Sequence, residues 1–119
     1  MTQDGRRRVV VTGLGVLAPN GKTLEEFWQA NVQGQSGIDY ITLFDATDFN
    51  VKIAGEVKNF NPSQYLMPAI YRKIDRFAQL GVSAAKMALD DAQIESKGLE
   101  SYLVRRRIVR EFGPYLGIG

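Results

Sequence analysis

The 119-residue sequence contains neither cysteine nor histidine. These two absences exclude thiol nucleophiles, imidazole bases and metal sites built from cysteine and histidine. The absence of cysteine also excludes disulfides, which is compatible with a cytoplasmic location. No apolar run approaches the roughly 18 residues that span a bilayer, and the start, MTQDGRRRVVV, lacks the cleavage site of a secretory signal. The chain is therefore predicted to be cytoplasmic, with no membrane segment and no metal.

The sequence also has almost no excess charge of one sign, since it contains 15 lysines and arginines and 13 aspartates and glutamates. An excess this small does not indicate a nucleic-acid partner unless the charges cluster. The most basic stretch contains residues 105–107 and Arg110, and no interleaved aromatic platform accompanies it. We expect a solvated tail there and no nucleic-acid binding.

A glycine pair follows a run of valines in VVVTGLGVLAPNG, residues 9–21. Gly13, Gly15 and Ala18 match the G-x-G-x-x-G/A pattern of dinucleotide-binding folds. In those folds the glycine turn opens directly into a helix, because the helix N-terminus binds the pyrophosphate. Here the turn sequence PNG intervenes, and the first helix signal comes only at Thr23. We expect no nucleotide cofactor, and predict that the glycines permit unusual backbone angles and close packing of a strand on a helix.

Short elements are predicted from hydrophobic period and turn residues. The β-branched residues 9–12 indicate a strand buried on both faces. Residues 51–57, VKIAGEV, alternate as a half-buried strand does. Asn61 and Pro62 predict a short helical turn.

A first helix is predicted to begin at the capping box TLEE, in which Thr23 and Glu26 satisfy each other's backbone N–H groups. Gly34 is the expected stop. Apolar residues recur on one face of this helix, and the two aromatic ones are expected in the core: Leu24, Phe27, Trp28 and Val32.

The longest helix is predicted over residues 68–93, at about 100° per residue. One broad arc is apolar or small: Ile70, Ile74, Phe77, Ala78, Gly81, Ala84, Ala85, Ala88, Leu89 and Ala92. The opposite side is mostly polar: Arg72, Arg76, Gln79, Ser83, Lys86 and Asp90. Leu80 and Met87 lie among these polar residues, so a second surface is expected to cover part of that side. Alone, the chain is expected to be marginally stable or to self-associate through Leu80 and Met87.

Five segments occur in a fixed order: RRVVVTGLGVLAPNG, W…GQSGI, LFDATDF, IAGEVKNFNPSQYL and RKIDRFAQLGVSAAKMALDDA. Over residues 7–94 the chain resembles the N-terminal segment of a β-ketoacyl-acyl-carrier-protein synthase, a condensing enzyme of bacterial fatty acid and polyketide synthesis. The resemblance implies an α/β fold, the N-terminal part of a thiolase-like layered α/β/α/β/α architecture. It divides the chain into a portion of the ketosynthase N-terminal domain, residues 1–104, and a divergent basic tail, residues 105–119.

The family's chemistry is implied by the same resemblance. Members condense an acyl group, held on a cysteine, with a decarboxylating malonyl thioester carried on acyl carrier protein, assisted by two histidines or a histidine and an asparagine. These residues normally follow the matched segment, so this chain alone is expected to be inactive. The alternative is a non-catalytic partner, comparable to a chain-length-determining subunit, that binds carrier protein or a catalytic subunit. The full-length form is expected to be a homodimer or heterodimer.

Arg72 and Lys73 are the predicted carrier-protein docking residues. In related synthases basic residues of this segment help to dock the acidic carrier protein, and the match places two of these positions at Arg72 and Lys73. A third basic position of the family is occupied here by the uncharged Ala69. An exposed arginine–lysine pair attracts an acidic partner through salt-sensitive contacts; the alternative is a solvated helix face. Asp75 is expected to be half-buried and paired with Arg76 or Arg72, and not to be catalytic.

The last residues depart from the family pattern. RRRIVREFGPYLGIG, residues 105–119, places charges where an apolar strand and a glycine-rich turn are expected. Truncation, a frameshifted end and a natural divergent product each account for this ending, and all three stay open.

Overall fold

The computed structural model describes residues 5–94, so the predicted basic tail lies outside the described residues. The elements follow one another in this order: α1 Leu24–Val32, β1 Ile38–Tyr40, β2 Ile53–Gly55, a 3₁₀ turn Pro62–Gln64, α2 Pro68–Tyr71 and α3 Arg76–Asp91. The two strands pair antiparallel, with Asp39 opposite Ala54. Among the helices within residues 5–94, none has the combination of length and apolar composition that a membrane span requires.

Helix α1 begins and ends where the sequence predicts. Thr23 Oγ1 accepts a hydrogen bond from the Glu26 N–H at 3.1 Å. The Glu26 carboxylate reaches one residue further back than in a capping box and accepts from the Lys22 N–H at 2.8 Å. Gly34 ends the helix with a φ of +68°, a conformation that favours glycine. The predicted burial of Trp28 is wrong, since 61% of this residue is exposed and no other described element packs extensively against α1.

Residues 9–12 do not form the predicted buried strand. Val9, Val10 and Val11 are 93%, 65% and 78% exposed, and no backbone hydrogen bond between described residues involves residues 8–13. A strand needs a neighbour for its N–H and C=O groups, and residues 5–94 supply none. The second predicted strand, residues 51–57, is present but is shortened to β2.

The 3₁₀ turn confirms the helical turn predicted at Asn61 and Pro62. The Asn61 side chain accepts hydrogen bonds from the Ser63 N–H at 3.0 Å and from the Ser63 hydroxyl at 2.8 Å. Proline occupies the first position of the turn, where its missing N–H costs nothing.

The glycine pair lies directly on α3, which confirms the predicted close packing on a helix, although the packed segment is not the predicted strand. A Cβ at Gly13 would overlap the Ala88 carbonyl oxygen, and a Cβ at Gly15 would overlap the Ala84 carbonyl oxygen. Between the glycines, the Leu14 N–H donates to Asp91 Oδ2 at 2.9 Å. Neither glycine has a positive φ. The pair therefore serves the close approach of two backbones, and the predicted unusual backbone angles are not found.

The helix predicted over residues 68–93 is in fact two helices. Helix α2 ends at Tyr71, and α3 begins after Asp75, whose backbone is extended. The Gln79 side-chain N–H groups donate to the carbonyl oxygens of Tyr71 at 2.8 Å and Ile74 at 3.2 Å. In a continuous helix these carbonyls would accept from backbone N–H groups. The Gln79 amide replaces those partners and stabilises the break.

The face of α3 predicted to be polar contains its most buried residue. Ser83 is fully buried, whereas Phe77 of the predicted apolar arc is 63% exposed. The Ser83 hydroxyl has no hydrogen-bond partner among the described residues. Leu80 and Met87 are half-buried, so they do not form the exposed surface through which self-association was predicted. The interior within residues 5–94 is small, and its buried apolar side chains are those of Ala30, Val57 and Leu66.

Candidate functional site

The predicted docking residues lie in the short connection between α2 and α3, residues 72–75, which we call the basic link. Arg72 and Lys73 are both exposed. Neither side chain forms a hydrogen bond or an ion pair with any residue in the range 5–94. Both positive charges therefore face solvent and are available to a partner molecule.

The backbone of the basic link is held in place, although its basic side chains have no partner within residues 5–94. The Lys73 N–H donates to the Ile70 carbonyl oxygen at 3.0 Å, and the Arg72 N–H donates to that of Pro68 at 3.3 Å. The Gln79 amide binds the carbonyl of Ile74 from the other side. The link thus presents two cations from a defined backbone, which lowers the entropy lost when a partner binds.

Arg76 does not join this exposed pair. One guanidinium nitrogen, Nη2, donates to the Val57 carbonyl oxygen at 2.7 Å. The guanidinium carbon lies 5.7 Å from the centre of the Phe60 ring, within the range of a cation–π interaction. Phe60 in turn stacks on Tyr65 with ring centres 6.4 Å apart. Arg76 therefore attaches α3 to the segment after β2, and its role is structural.

The predicted pairing of Asp75 is wrong. Its side chain is exposed, and it makes no ion pair with Arg72 or Arg76. The helix break explains the difference, because Asp75 precedes α3 with extended backbone while the Arg76 guanidinium is engaged by Val57. Within the described residues, no group of three or more acidic, histidine or cysteine residues is placed to bind a metal.

A buried carboxylate that the sequence did not reveal fixes the loop after β1. Glu56 is 8% exposed and accepts hydrogen bonds from the Thr42 N–H at 3.0 Å, the Thr42 hydroxyl at 2.8 Å and the Leu43 N–H at 3.1 Å. Burial acts to raise the pKa of Glu56, but the hydrogen bonds from Thr42 and Leu43, with the charge of Lys58, hold it below the ordinary value of 4.5. Its place in an alternating strand pattern predicts exposure, so only the structure identifies this anchor.

The Glu56 anchor predicts an acid-sensitive loop. Because the folded pKa lies below 4.5, the stabilisation is complete above pH 4.5 and is lost as pH falls through the folded value. In amide NMR spectra, the Thr42 and Leu43 resonances should shift with a midpoint below 4.5. Glu56→Gln should abolish this titration, whereas Glu25→Gln, which removes an exposed carboxylate bonded to Gln29, should leave it intact. A midpoint above 4.5 would contradict the proposed anchor.

Comparison with known proteins establishes the family. Residues 6–118 match the sequence profile of the family described as "Beta-ketoacyl synthase, N-terminal domain". The chain belongs to the β-ketoacyl synthase family. The resemblance predicted from the five ordered segments is thereby confirmed.

Relatives within the ketosynthase family include a 3-oxoacyl-[acyl-carrier-protein] synthase and a subunit of a polyketide synthase. The chain is 49% identical over 90 residues to 3-oxoacyl-[acyl-carrier-protein] synthase 2 of Vibrio harveyi, covering 76% of this chain and 22% of the relative. It is 43% identical over 94 residues to the tetracenomycin polyketide synthase ketoacyl synthase beta subunit of Streptomyces glaucescens, covering 79% and 23%. The chain thus spans less than a quarter of the length of these ketosynthases.

A solved ketosynthase structure supports the predicted fold. The ishigamide ketosynthase/chain length factor superposes with a TM-score of 0.72 at 38% sequence identity, covering 78% of this chain and 23% of that one. The α/β, thiolase-like fold class expected from the sequence is confirmed at the level of this N-terminal portion.

Proposed function

We propose that this ketosynthase portion belongs to a protein that condenses acyl and malonyl thioesters with decarboxylation, in fatty acid or polyketide synthesis. Its own contribution is to bind acyl carrier protein through Arg72 and Lys73. The observation that carries this proposal is the exposure of two adjacent cations, free of any partner within residues 5–94, on a connection whose backbone is held by hydrogen bonds. Similarity to a 3-oxoacyl-[acyl-carrier-protein] synthase supplies the class of partner.

The catalytic step is assigned to residues outside this chain. Acyl transfer to a thiol needs a cysteine, and the decarboxylation is assisted by histidine in the family that the sequence resembles. The 119 residues contain neither. By this proposal the chain alone binds carrier protein but forms no β-ketoacyl product, and the complete protein acts in the cytoplasm as a dimer.

A chain-length-factor role is the second candidate. It is favoured by the 43% identity to a polyketide ketosynthase beta subunit and by the similarity to a ketosynthase/chain length factor structure. The coding DNA downstream of this segment distinguishes the two roles. A cysteine in a glycine- and alanine-rich turn followed by two histidines supports the synthase, and a replaced cysteine supports the non-catalytic partner.

Charge reversal at the basic link tests the docking proposal. Arg72→Glu with Lys73→Glu should weaken binding of a bacterial acyl carrier protein by about tenfold at low salt, because two attractions become repulsions. The effect should shrink at about 0.5 M salt, where the Debye length is only a few ångströms. Fluorescence anisotropy of dilute chain labelled at its N-terminus, titrated with carrier protein, measures both values.

Arg7→Glu with Arg8→Glu is the matched control. These residues are also adjacent and exposed, and the double substitution changes the net charge by the same amount. The control should lose much less affinity than the variant of the basic link. Equal loss in the two variants would show that carrier protein responds only to total charge, and would overturn the assignment of Arg72 and Lys73.

A further inference from the structure

Helix α2 is short and buries none of its own residues. It comprises only Pro68–Tyr71, and its N-cap residue, Met67, makes no capping hydrogen bond with its side chain. Helices shorter than about 12 residues are marginal in water, and most helical stability in proteins comes from the packing of an apolar face. Because no residue of α2 is buried, little apolar contact holds these four residues in a helix.

Much of the backbone between α2 and α3 is already helical. Arg72 has φ −71° and ψ −14°, which lie close to the values of a helix. At Asp75 the φ of −68° is also helical, and only the ψ of 161° is extended. The basic link contains neither glycine nor proline, so no residue in it prevents a helix from forming.

The first turn of α3 lacks partners for its backbone donors. The Asp75 side chain makes no capping hydrogen bond, and the N–H groups of Arg76 and Phe77 have no hydrogen-bond partner among residues 5–94. If α3 began one turn earlier, at Arg72, these two groups would donate to the carbonyl oxygens of residues 72 and 73. Extension of α3 through the basic link therefore gains backbone hydrogen bonds.

Unwinding of α2 supplies the chain length that such an extension needs. The chain before α2 is fixed, since Leu66 is buried and the Lys86 ammonium donates to the Tyr65 carbonyl oxygen at 3.5 Å. Four residues span about 6 Å as a helix and about 13 Å when extended. The difference of about 7 Å matches the roughly 6 Å by which four added residues lengthen α3. Helix α3 can therefore extend if α2 unwinds.

The Gln79 amide opposes this rearrangement. Its N–H groups bridge the carbonyl oxygens of Tyr71, the last residue of α2, and Ile74, a residue of the basic link. In an extended α3 the Ile74 carbonyl would accept from the Ala78 N–H. The amide and the extended helix thus compete for one acceptor.

We infer that residues 68–75 form a conformational switch with two states, and that Gln79 is its latch. In the latched state, which the structure shows, α2 is wound and the Gln79 amide holds the basic link. In the extended state α2 is unwound and α3 begins at Arg72. A partner that binds one state more tightly than the other shifts their populations by that difference in affinity. The switch depends on backbone hydrogen bonds and is independent of the proposed docking role.

Replacement of the Gln79 amide tests the switch. Gln79→Met keeps about the length and the helix propensity of glutamine but has no N–H group to donate. In the full chain at low concentration, hydrogen exchange of the Arg76 and Phe77 amides should become about tenfold slower, since two hydrogen bonds of the latched state are lost. The Cα chemical shifts of Ile74 and Asp75 should move toward helical values.

Two further variants complete the experiment. Gln29→Met is the matched control, because the Gln29 amide donates to the Glu25 carboxylate at 2.9 Å within α1, and it should leave exchange at residues 76 and 77 unchanged. Asp75→Pro added to Gln79→Met should restore fast exchange at both residues, because proline fits the observed φ of −68° but breaks a helix that runs through it.

Three results would overturn the inference. They are unchanged exchange at residues 76 and 77 in Gln79→Met, slower exchange that survives Asp75→Pro, and equal slowing in Gln29→Met. Loss of protection throughout α3 in Gln79→Met would also overturn it, because the amide would then stabilise α3 itself and not one of two states. No carrier protein is present in the experiment, so its result leaves the docking proposal untouched.

Discussion

Purified alone, the chain is expected to self-associate and to unfold in urea over a broad range without a steep transition. The reason is the imbalance between buried and exposed apolar residues in the described part of the chain. Ala30, Val57 and Leu66 are the buried apolar residues there, while large side chains such as those of Val9, Trp28 and Phe49 are more than half exposed. Burial at about 25 cal/mol per Å² from so small an interior offsets little of the chain entropy that folding removes.

Two measurements check this expectation. Sedimentation velocity over a wide range of concentration should show a mass that increases with concentration. Fluorescence of Trp28, the single tryptophan, should shift little in urea, because 61% of the residue is already exposed. The prediction would be contradicted by a chain that is monomeric at all concentrations and unfolds in a steep transition, with a free energy of unfolding of about 5–15 kcal/mol, as an ordinary domain has.

The unpaired valine run is the expected centre of self-association. β-branched residues with free backbone N–H and C=O groups pair readily with other strands, and a lysine placed among them blocks such pairing. Val10→Lys should therefore reduce association more than Val51→Lys, although both parent residues are 65% exposed. Equal effects of the two lysines would assign the association to overall apolarity and not to the valine run.

Gly15→Ala should largely abolish the packing of the segment that contains Gly13 and Gly15 against α3. A Cβ at residue 15 would overlap the Ala84 carbonyl oxygen and lie 2.7 Å from the Ala88 backbone nitrogen. Both atoms belong to the helix backbone, so the segment that contains Gly15 must move away from α3. Overpacking of this kind costs about 1–3 kcal/mol or more, which is a large part of the stability expected here. Circular dichroism should show reduced helix content, and α3 amides should exchange faster with solvent.

Gly55→Ala is the matched substitution for this test. A Cβ at residue 55 would meet only side-chain atoms, Pro19 Cγ at 2.9 Å and Ile38 Cδ1 at 3.4 Å. Side-chain ends move more cheaply than a helix backbone does, so the helix content of Gly55→Ala should stay close to that of the parent chain. If Gly15→Ala also keeps the parent spectrum and exchange rates, the glycine pair does not hold the segment against α3.

Local features of this fold follow from the sequence, and long-range ones do not. The cap at Thr23, the stop at Gly34 and the turn at Asn61 depend on hydrogen bonds within a few residues, and each lies where it was predicted. The strand predicted at residues 9–12 depends on a neighbouring strand, which the described residues do not contain. The β-branched composition of residues 9–12 indicates a preference for extended backbone, but it does not determine whether a neighbouring strand is present to pair with them.

The candidate site shows the same division. Exposure of Arg72 and Lys73 is as the sequence predicts, although their docking role stays a proposal. The break that separates them from α3 contains no glycine or proline, so helical period alone predicted a continuous helix. Two signals were available: Asp75, a residue type that favours helix starts, and Gln79, four residues later, whose amide reaches back across the break.

Because Gln79 holds the helix break through backbone groups, the constraint on the helix geometry is separate from the constraint on the charge of residues 72 and 73. Its amide binds backbone carbonyls of Tyr71 and Ile74, groups that every residue type carries, and it makes no contact that depends on the side chains at residues 72 and 73. Substitutions at those two positions that keep the backbone N–H groups bonded to Pro68 and Ile70 are therefore expected to leave the helix pair intact. Under the proposed docking role, lineages that share this architecture can change the charge of the link to follow a diverging carrier protein, with no compensating change in the helices.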